Sequence, residues 1–327
     1  MIASFLESFE RFSANGGSAA PQSIRALRLS GITRFETLGF PTTRNEDWHF
    51  TSVAPIAEGK FLPLTRQTGT VTAAQIAPFG FDPTWHTLVF VNGRYNASLS
   101  GGVPLPRGVR VLPLAKAFTE LSSLVEQHLG KIASYDAHTF TALNTAFIDD
   151  GAVVHVANDL EVATPIHLLF VSDASAVHGS AQPRNLVVLG SNAKATVIES
   201  YAGTDDGAYF TNTVTEASIG AGATLTHLKL QRESRNAYHV GTVDARQARD
   251  SHFFAFSLVN VPPLTICAQS ASYSRCEPST QWMWSGWQSA AIFVTQRTRW
   301  RFRLRGWELI FMATDPDHYG SPTLPGD

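Results

Sequence analysis

The sequence contains few cysteines, few charged residues and no long uninterrupted apolar run. Two cysteines in 327 residues, Cys267 and Cys276, are too few for a disulfide framework. No stretch approaches the roughly 18 consecutive apolar residues that a membrane helix needs. The N-terminus carries Glu7 and Glu10 and has no basic segment ahead of an apolar run, so it does not resemble a secretory signal. These absences predict a soluble, cytoplasmic protein with no membrane association.

Charge of both signs is scarce and almost balanced. Charged residues make up 16% of the chain, and 25 basic residues stand against 27 acidic ones, for a net charge of −2. A protein that binds nucleic acid by neutralising phosphates would show a basic excess, so no nucleic-acid partner is expected. Hydrophobic residues reach 44%, which is typical of a globular chain with a substantial core.

The first part of the chain has helical periodicity. Ser4 and Glu7 have the spacing of a capping box, followed by aromatic residues at helical spacing: Phe5, Phe9 and Phe12. A second helix is predicted over Ser23–Leu38, ending at Gly39, and a third from Ala115 to about Leu129. We interpret these helices as core-packing elements.

From residue 88 onward, strand signals dominate. An apolar run from Leu88 leads into Asn92-Gly93, which predicts a hairpin because type I′ turns need positive φ at both central positions. From about Asn144 to Leu258, short β-branched runs alternate with turn residues and helical intervals are absent. The runs are Val153–Val156, Ile166–Val171, Asn185–Leu189, Ala195–Glu199, Asn212–Glu216, Leu225–Leu230 and Val240–Val243. This pattern fits a sandwich, a barrel or a β-solenoid.

Small residues at one turn favour the solenoid. In Ile219–Leu225, Gly220-Ala221-Gly222 separates two apolar strands, as at the corners between rungs of a parallel β-helix. No strict repeat length is visible, so the pattern alone puts the solenoid only modestly ahead of the sandwich.

Several segments, in the right order, resemble the SufB/SufD family of the SUF iron–sulfur cluster assembly system, and SufD most closely. Pro41–Thr51 resembles a P-T-R-x-x-E-x-W stretch near the start of these proteins, and the hairpin at Phe90–Tyr95 is similar too. The remaining segments match the start and middle of the family's core: Phe140–Phe147, Asp150-Gly151, Pro165–Ser172, Lys229–Ser234, His239–Thr242 and Arg249–Ser251. The resemblance covers roughly residues 35 to 258.

The resemblance implies a mainly β fold, a right-handed parallel β-helix preceded by a helical region. It predicts three parts. Residues 1–135 form a mainly helical N-terminal region with a β-hairpin near 88–98, residues 136–258 form the β-helix core, and residues 259–327 form an atypical tail. It implies a non-catalytic scaffold subunit that pairs with a SufB-like subunit and docks a SufC-like ATPase. An iron–sulfur cluster and a reduced flavin are implied for the complex, and no cofactor for this chain alone.

The tail after Leu258 departs from the family. Five of seven tryptophans lie beyond that point, whereas all five lysines precede it. The stretch Arg297–Arg305 alternates arginine with Trp, Phe and Leu and shows neither a helical stripe nor turn chemistry. We predict that the tail is out of frame, and a genuine lineage-specific domain is the alternative. Either way, the family's Cys/His segment and ATPase-docking helices have no counterpart here.

Candidate ligands are weak, and no catalytic, cofactor-binding or metal residue is predicted. Cys267 and Cys276 lack a second pair, and a structural metal site normally needs four closely spaced ligands. Four histidines lie in strand-like runs: His155, His167, His227 and His239. Of these, His227 and His239 are the best candidates for meeting on successive rungs, where they could help hold iron with ligands from SufB.

Three further groups carry competing interpretations. Glu199, Asp205 and Asp206 lie near strand ends, where β-helix hydrolases keep catalytic acids, but we expect them to be solvated turn residues. Arg44 and Glu46 could pair along an extended strand with Trp48 packed beneath, as a clasp between the N-terminal region and the β-helix. The arginine-rich tail run superficially suggests nucleic-acid binding, which the acidic chain disfavours.

Two other functions remain open from the sequence. A carbohydrate-active β-helix enzyme would carry clustered acids and arginines along one solenoid face and turn over a polysaccharide. A generic β-solenoid interaction module would have no connection with metals. Co-purification with an ABC-type ATPase distinguishes the scaffold from both.

Overall fold

The computed structural model describes residues 2–15, 20–45, 48–49, 52–64, 70–260, 264–273, 281–289, 296–304 and 307–313, with side chains up to residue 258. Seven α-helices lie in the described N-terminal half: α1 Ile2–Asn15, α2 Gln22–Leu38, α3 Ala54–Glu58, α4 Ala73–Ile76, α5 Leu114–Glu120, α6 Ser122–His128 and α7 Thr139–Ala146. None of the described helices is long and apolar enough to cross a membrane.

The strands begin within the helical region and continue to residue 313. The first eight are β1 Leu62–Pro63, β2 His86–Val91, β3 Arg94–Tyr95, β4 Val109–Pro113, β5 Ala152–Val156, β6 Ile166–Ser172, β7 Gly179–Ala181 and β8 Arg184–Leu189. The others are β9 Lys194–Gly203, β10 Phe210–Ile219, β11 Thr224–Arg232, β12 Tyr238–Gln247, β13 His252–Asn260, β14 Leu264–Tyr273, β15 Gln281–Ser289, β16 Gln296–Leu304 and β17 Trp307–Ala313. Every strand run predicted from the sequence lies inside one of them.

From β8 to β16, successive strands alternate between two stacked sheets. Sheet I has the order β17-β16-β14-β12-β10-β8-β5-β4, and sheet II has the order β15-β13-β11-β9-β6-β2-β3. Neighbours pair in parallel from β5 to β16 in sheet I and from β2 to β15 in sheet II. Each rung therefore contributes one strand to each sheet, which confirms the predicted mainly β class with a β-solenoid after a helical region.

The rung length is not constant. Paired positions 153, 186, 216, 244 and 270 in sheet I are 33, 30, 28 and 26 residues apart. The next step in sheet I, from 270 to 299, is 29 residues. The rungs therefore differ in length, and this explains why the sequence shows no fixed repeat.

One corner of the solenoid is built from stacked left-handed residues. Asp159, Asn192, Gly222 and Asp250 have φ between 56° and 68° and occupy equivalent turns of four successive rungs. Backbone bonds join these corners: Asp159 N donates to Ser191 O, Asn192 N to Ala221 O and Gly222 N to Arg249 O. Gly, Asn and Asp tolerate this conformation best, so the corner residues specify where each rung turns.

The N-terminal region closes one end of the solenoid and covers part of its outside. Antiparallel strands β3 and β4 end the two sheets. The aromatic cluster between helices and sheet I contains residues of both: Phe5, Phe12, Phe35, Phe140, Phe147 and Phe210. The predicted domain boundaries stay a prediction, and strands β2 to β4 show that the region before residue 135 contributes to both sheets.

The hairpin prediction is confirmed, and two helix details are corrected. Asn92 and Gly93 have φ of 50° and 79°, as a type I′ turn requires. Ser4 and Glu7 do not cap α1, because the helix already begins at Ile2. The predicted third helix is two helices, because Leu121 leaves helical geometry with φ −131° and ψ 34°.

Helix α2 crosses α7 at a glycine. A Cβ on Gly31 would lie 2.6 Å from the amide nitrogen of Ala146 and 2.9 Å from the carbonyl carbon of Thr145. Both contacts are with backbone, which cannot move aside as a flexible side chain can. The absent side chain therefore sets how closely the two helices approach.

Replacing Gly31 with alanine is expected to destabilise the protein by roughly 1–3 kcal/mol, because the helices must separate. Helix propensity alone predicts the opposite, a gain of about 1 kcal/mol. Urea unfolding followed by circular dichroism measures the sign. The exposed neighbour Ser30→Ala is the control and should change stability by less than about 0.5 kcal/mol. A stabilised Gly31→Ala variant would show that the helices are not in close contact.

Candidate functional site in the solenoid interior

The interior of the solenoid is polar along one side, where strands β9 to β12 face each other. Because side chains alternate between the faces of a strand, His227, Lys229 and Gln231 of β11 all point inward. Glu199 and Tyr201 of β9 face them, and Glu233 follows β11. The remaining members are Thr211, Thr213 and Thr215 of β10 and His239 of β12. All are at most 8% exposed.

Glu199 is the centre of the first buried cluster. Its Oε1 lies 3.0 Å from His227 Nε2 and accepts a 2.6 Å hydrogen bond from the Thr215 hydroxyl. Its Oε2 accepts a 2.8 Å bond from the Tyr201 hydroxyl. Burial raises the pKa of Glu199, but His227 and these hydrogen bonds outweigh it and lower the pKa to about 2. Burial and the adjacent carboxylate raise the pKa of Tyr201 well above 10.

A second cluster surrounds Glu233. His239 Nδ1 lies 2.7 Å from its Oε2, and Thr211 donates a 2.8 Å bond to its Oε1. Burial raises the pKa of Glu233, but His239 and the hydrogen bonds lower it further than burial raises it. The pKa of His239 is lowered by burial and by Lys229. A neutral imidazole that donates from Nδ1 to Glu233 fits this arrangement.

Lys229 and Tyr201 lie between the two clusters. The Tyr201 ring contacts His239 edge-on at 4.8 Å, and its hydroxyl is 2.8 Å from Thr213. Lys229 is 2% exposed, with Nζ 5.6 Å from the Tyr201 ring centre. A Cβ on Gly241 would lie 2.2 Å from that Nζ and 3.1 Å from His239 Nε2. Gly241 thus leaves the space that the ammonium group occupies.

The network can hold and exchange protons, but it is closed to solvent. Carboxylate–imidazole pairs are common in catalysis, where the imidazole also contacts a substrate. Here both imidazoles are at most 1% exposed. Among the residues that the structure describes, no group of three or more His, Cys, Asp or Glu side chains could hold a metal ion. The arrangement is therefore a buried charge network and not an open active site.

A separate buried ion pair fastens the helical region to sheet I. Arg184 of β8 and Glu216 of β10 are both fully buried, with Arg184 Nη2 2.5 Å from Glu216 Oε1. Arg184 Nε donates to the same oxygen at 2.9 Å. Glu216 also accepts from three backbone amides of the loop after α6, those of Gly130, Ile132 and Ala133. One carboxylate therefore joins two rungs and the N-terminal region.

The structure overturns the expectation that Glu199 is a solvated turn residue. Glu199 lies inside β9, is fully buried and faces the interior, because the strand continues to Gly203. Asp205 and Asp206 do lie in the loop after β9. Asp205 accepts from the Gly207 amide at 2.9 Å, and Asp206 is exposed. The three acids do not form a catalytic group.

The four candidate histidines occupy different environments. His155 of β5 is half-buried, and burial and Arg110 lower its pKa. His167 is buried on the outer face of sheet II, where Nε2 lies 2.9 Å from the Ser200 hydroxyl and burial lowers its pKa to about 4. His227 and His239 share the interior but pair with different carboxylates, and neither is directed toward a partner surface.

The predicted clasp is partly described. Residues 42–45 form a closed turn, with Asn45 N donating to Thr42 O at 2.9 Å, so Arg44 is not in an extended strand. Glu46 lies outside the described residues. Trp48 packs at 5.2 Å on the Phe140 ring of α7, within the aromatic cluster that joins the helices to sheet I.

The tail candidates are described only in part. The backbone of Cys267 lies in β14 and that of 297–304 in β16, but their side chains are outside the described residues, as are Cys276 and Arg305 entirely. The proposed frame change in the tail stays a prediction.

Sequence reasoning did not identify the most buried charges. Lys229, Glu233, Arg184 and Glu216 were assigned no role, and Tyr201 was not considered. The one available signal was polar alternation, since every second position of β11 from His227 to Gln231 is polar. Such alternation is usually interpreted as polar side chains that face water, and that interpretation would place these three residues on the outside of the solenoid, although they lie inside.

Two family models match consecutive parts of the chain. The SufBD protein N-terminal region matches residues 2–168, which is more than half of the chain. The SUF system FeS cluster assembly SufBD core domain matches residues 170–266. The match therefore begins well before residue 35 and continues eight residues beyond Leu258.

Individual relatives agree with this match. An iron–sulfur cluster assembly SufBD family protein of Synechocystis is 30% identical over 227 residues, 66% of this chain and 49% of the relative. SufD of Escherichia coli is 25% identical over 250 residues, covering 76% and 54%, and SufD of Bacillus subtilis is 26% identical over 251 residues, covering 73% and 56%. The chain thus spans about half the length of the relatives it matches.

Proposed function

This chain belongs to the SufB/SufD family, within which it is most like SufD, and we propose that it is a scaffold subunit for iron–sulfur cluster assembly. The observation that supports this role is the pair of family matches that together span residues 2–168 and 170–266. The assembled cluster is then cargo of a complex. The reduced flavin is proposed to belong to that complex as well, and the cytoplasm is the proposed location.

The closed interior supports a non-catalytic role for the described part of the chain. The charged side chains of the clusters around Glu199 and Glu233 are inside the solenoid, where a substrate does not reach them. A carbohydrate-active β-helix enzyme would instead need acids along an accessible face. The surface acids near β9, Asp205 and Asp206, have no such arrangement with each other or with a base.

The strand topology supports pairing with a SufB-like partner at one end of the solenoid. The first end is closed by β3 and β4, whereas β15 is the last strand of sheet II among the described residues. An outer strand with unpaired backbone groups is a template for strand addition from another chain. We therefore expect the homologous partner to join at the β15 end. A SufC-like ATPase is the proposed third member of the complex.

Co-expression with a SufB-type subunit and a SufC-type ATPase of the same genome tests the proposal. The expected result is one complex that contains all three proteins, measured by size-exclusion chromatography with light scattering. Polysaccharide hydrolysis by the purified chain is the parallel assay for the enzyme alternative. Elution of a folded chain separately from both partners, at every ratio tested, would contradict the scaffold role.

A further inference from the structure

The outer face of sheet II is covered at one end of the solenoid. Because side chains alternate along a strand, Val89 of β2, Leu169 of β6 and Ala202 of β9 point away from the interior. Val71 of the N-terminal region belongs to the same buried cluster, and Phe79 packs against it. The first strands of sheet II therefore have a second layer outside them, as an apolar sheet face requires.

The next two strands of sheet II also carry apolar side chains on their outer face. In β13 the alternate residues Phe253 and Ala255 belong to the interior core, so the residues between them point outward. Five outward residues of β11 and β13 are half-buried, and we call them the outer stripe: Leu228, Leu230, Phe254, Phe256 and Leu258. None of the five belongs to a hydrophobic cluster within the described part of the chain.

Strand register makes the outer stripe continuous. Leu228 lies beside Phe256, and Leu230 lies beside Leu258. On the other side of β11, Leu228 lies beside Ile198 of β9. No outward position of β9, β11 or β13 in these two rows carries a charge. The stripe is therefore one uncharged apolar surface.

One cation lies at the end of the outer stripe. Arg232 donates to the carbonyls of Pro78 and Phe79 at 3.0 and 2.9 Å, and its guanidinium lies 5.7 Å from the ring centre of Phe81, which is 48% exposed. Burial lowers the pKa of Arg232, and no carboxylate among the described residues offsets this effect. Only two of the five N–H donors of the guanidinium are used in these bonds, so Arg232 has donors left for an anionic group.

The dimensions of the outer stripe decide what can cover it. Three strands at about 4.8 Å spacing and five residues at about 3.3 Å each give an area of roughly 240 Å². A stable dimer buries about 800 Å² per partner, so a second copy that packs only on this stripe would bind too weakly. An α-helix is about 10 Å wide and rises about 5.4 Å per turn, so about three turns of one helix cover the stripe.

We propose that the outer stripe is a docking site for an amphipathic helix of a partner protein, which packs apolar side chains on Leu228, Leu230 and Phe256 and places a carboxylate at Arg232. The apolar face of this helix provides the second layer that the N-terminal region provides over β2 and β6. Its carboxylate is the anion that Arg232 lacks. The site is separate from the interior charge network and does not rest on the proposed role in cluster assembly.

Fluorescence anisotropy with the purified full chain tests the site. The probes are two labelled 18-residue helical peptides with leucine on one face, alanine and glutamine elsewhere, and one glutamate in either the first or the last turn. At least one should bind saturably, and Leu228→Gln should weaken its binding at least about tenfold because a leucine side chain loses its apolar contact. Leu29→Gln removes a 59% exposed leucine of α2 and should leave binding unchanged.

Changes in the peptide keep the test independent of the folding of any variant. A peptide with serine in place of the leucines should not bind. Replacing the glutamate of the peptide with glutamine should weaken binding to the wild-type chain about threefold to fivefold. The same replacement should have no effect on binding to Arg232→Gln, because the charge pair is already lost.

The absence of saturable binding for both glutamate peptides would overturn the proposal, and so would equal binding by Leu228→Gln and the wild type. A dimer in light scattering that Leu228→Gln dissociates would assign the stripe to a second copy instead. Sedimentation with vesicles of phosphatidylcholine and phosphatidylglycerol that requires Leu228 would assign it to a lipid surface. None of these measurements involves a SufB-type or SufC-type protein, so the docking site and the scaffold role fail separately.

Discussion

Replacing Glu216 with glutamine is expected to lower the free energy of unfolding by about 3–5 kcal/mol. Every contact of both carboxylate oxygens is with a donor: Arg184 and the Gly130 amide on Oε1, and two further loop amides on Oε2. An amide NH₂ therefore faces donors whichever way the glutamine side chain turns. Arg184 is then left with an uncompensated charge in a fully buried position.

Urea unfolding followed by circular dichroism measures this loss, and an exposed ion pair provides the control. Arg110 and Glu120 pair at 2.6 Å but are 45% and 44% exposed, so Glu120→Gln should cost less than about 1 kcal/mol. Equal small effects of the two variants would show that Glu216 does not join the rungs to the loop after α6. The loss should also appear as early exchange of the amides of residues 130–133.

Replacing Glu199 with glutamine is expected to cost about 2–3 kcal/mol at pH 7, because it weakens hydrogen bonds to a buried charged group. The Thr215 and Tyr201 hydroxyls would each lose a charged acceptor, and His227 would lose its anionic partner. The change leaves the volume of the side chain almost constant, so the loss is electrostatic and not a cavity effect.

The pH dependence distinguishes this cause from general destabilisation. The pKa of Glu199 is lowered from 4.5 to about 2, so its contribution is complete above pH 4.5 and is lost as pH falls toward 2. The stability difference between the wild type and Glu199→Gln should therefore shrink in acid. The exposed Glu161→Gln should show a small difference at every pH. A difference for Glu199→Gln that stays constant from pH 7 to pH 3 would contradict the proposed charge network.

Strand positions and turns could be predicted because their signals are local. Asn92-Gly93 specifies its own turn, and β-branched runs bounded by small residues mark the strands of each rung. The choice between a solenoid and a sandwich was not local. It depends on which strands pair, and the rung length varies between 26 and 33 residues, so no sequence period reveals it.

The candidate site was harder to predict because one strand inverts the usual pattern. In β11, His227, Lys229 and Gln231 face the interior, whereas Leu228 and Leu230 face outward and are half-buried. A rule that places apolar residues inside assigns this strand to the wrong face. The polar residues are tolerated inside because carboxylates of β9 and of the segment after β11 lie opposite them, and such tertiary partners cannot be inferred from one strand alone.

The helix at 139–146 was missed for a similar reason. All eight of its residues are buried, so it shows no amphipathic stripe. Its contacts are with α2 at Gly31 and with the solenoid, where Asn144 donates to the carbonyls of Pro183 and Asn212 at 2.9 Å. Both sets of partners are distant in sequence.

Whether cluster assembly depends on this chain is the most direct test of the account. The measurement is the activity of an iron–sulfur enzyme in cells whose only assembly route is a SUF system built from the SufB-type and SufC-type subunits of the same genome, with and without this chain. The account predicts that activity requires the chain, and that Glu161→Gln, a surface change, supports it fully. Equal activity in cells that lack the chain, with its partners present at normal levels, would contradict a scaffold role in cluster assembly.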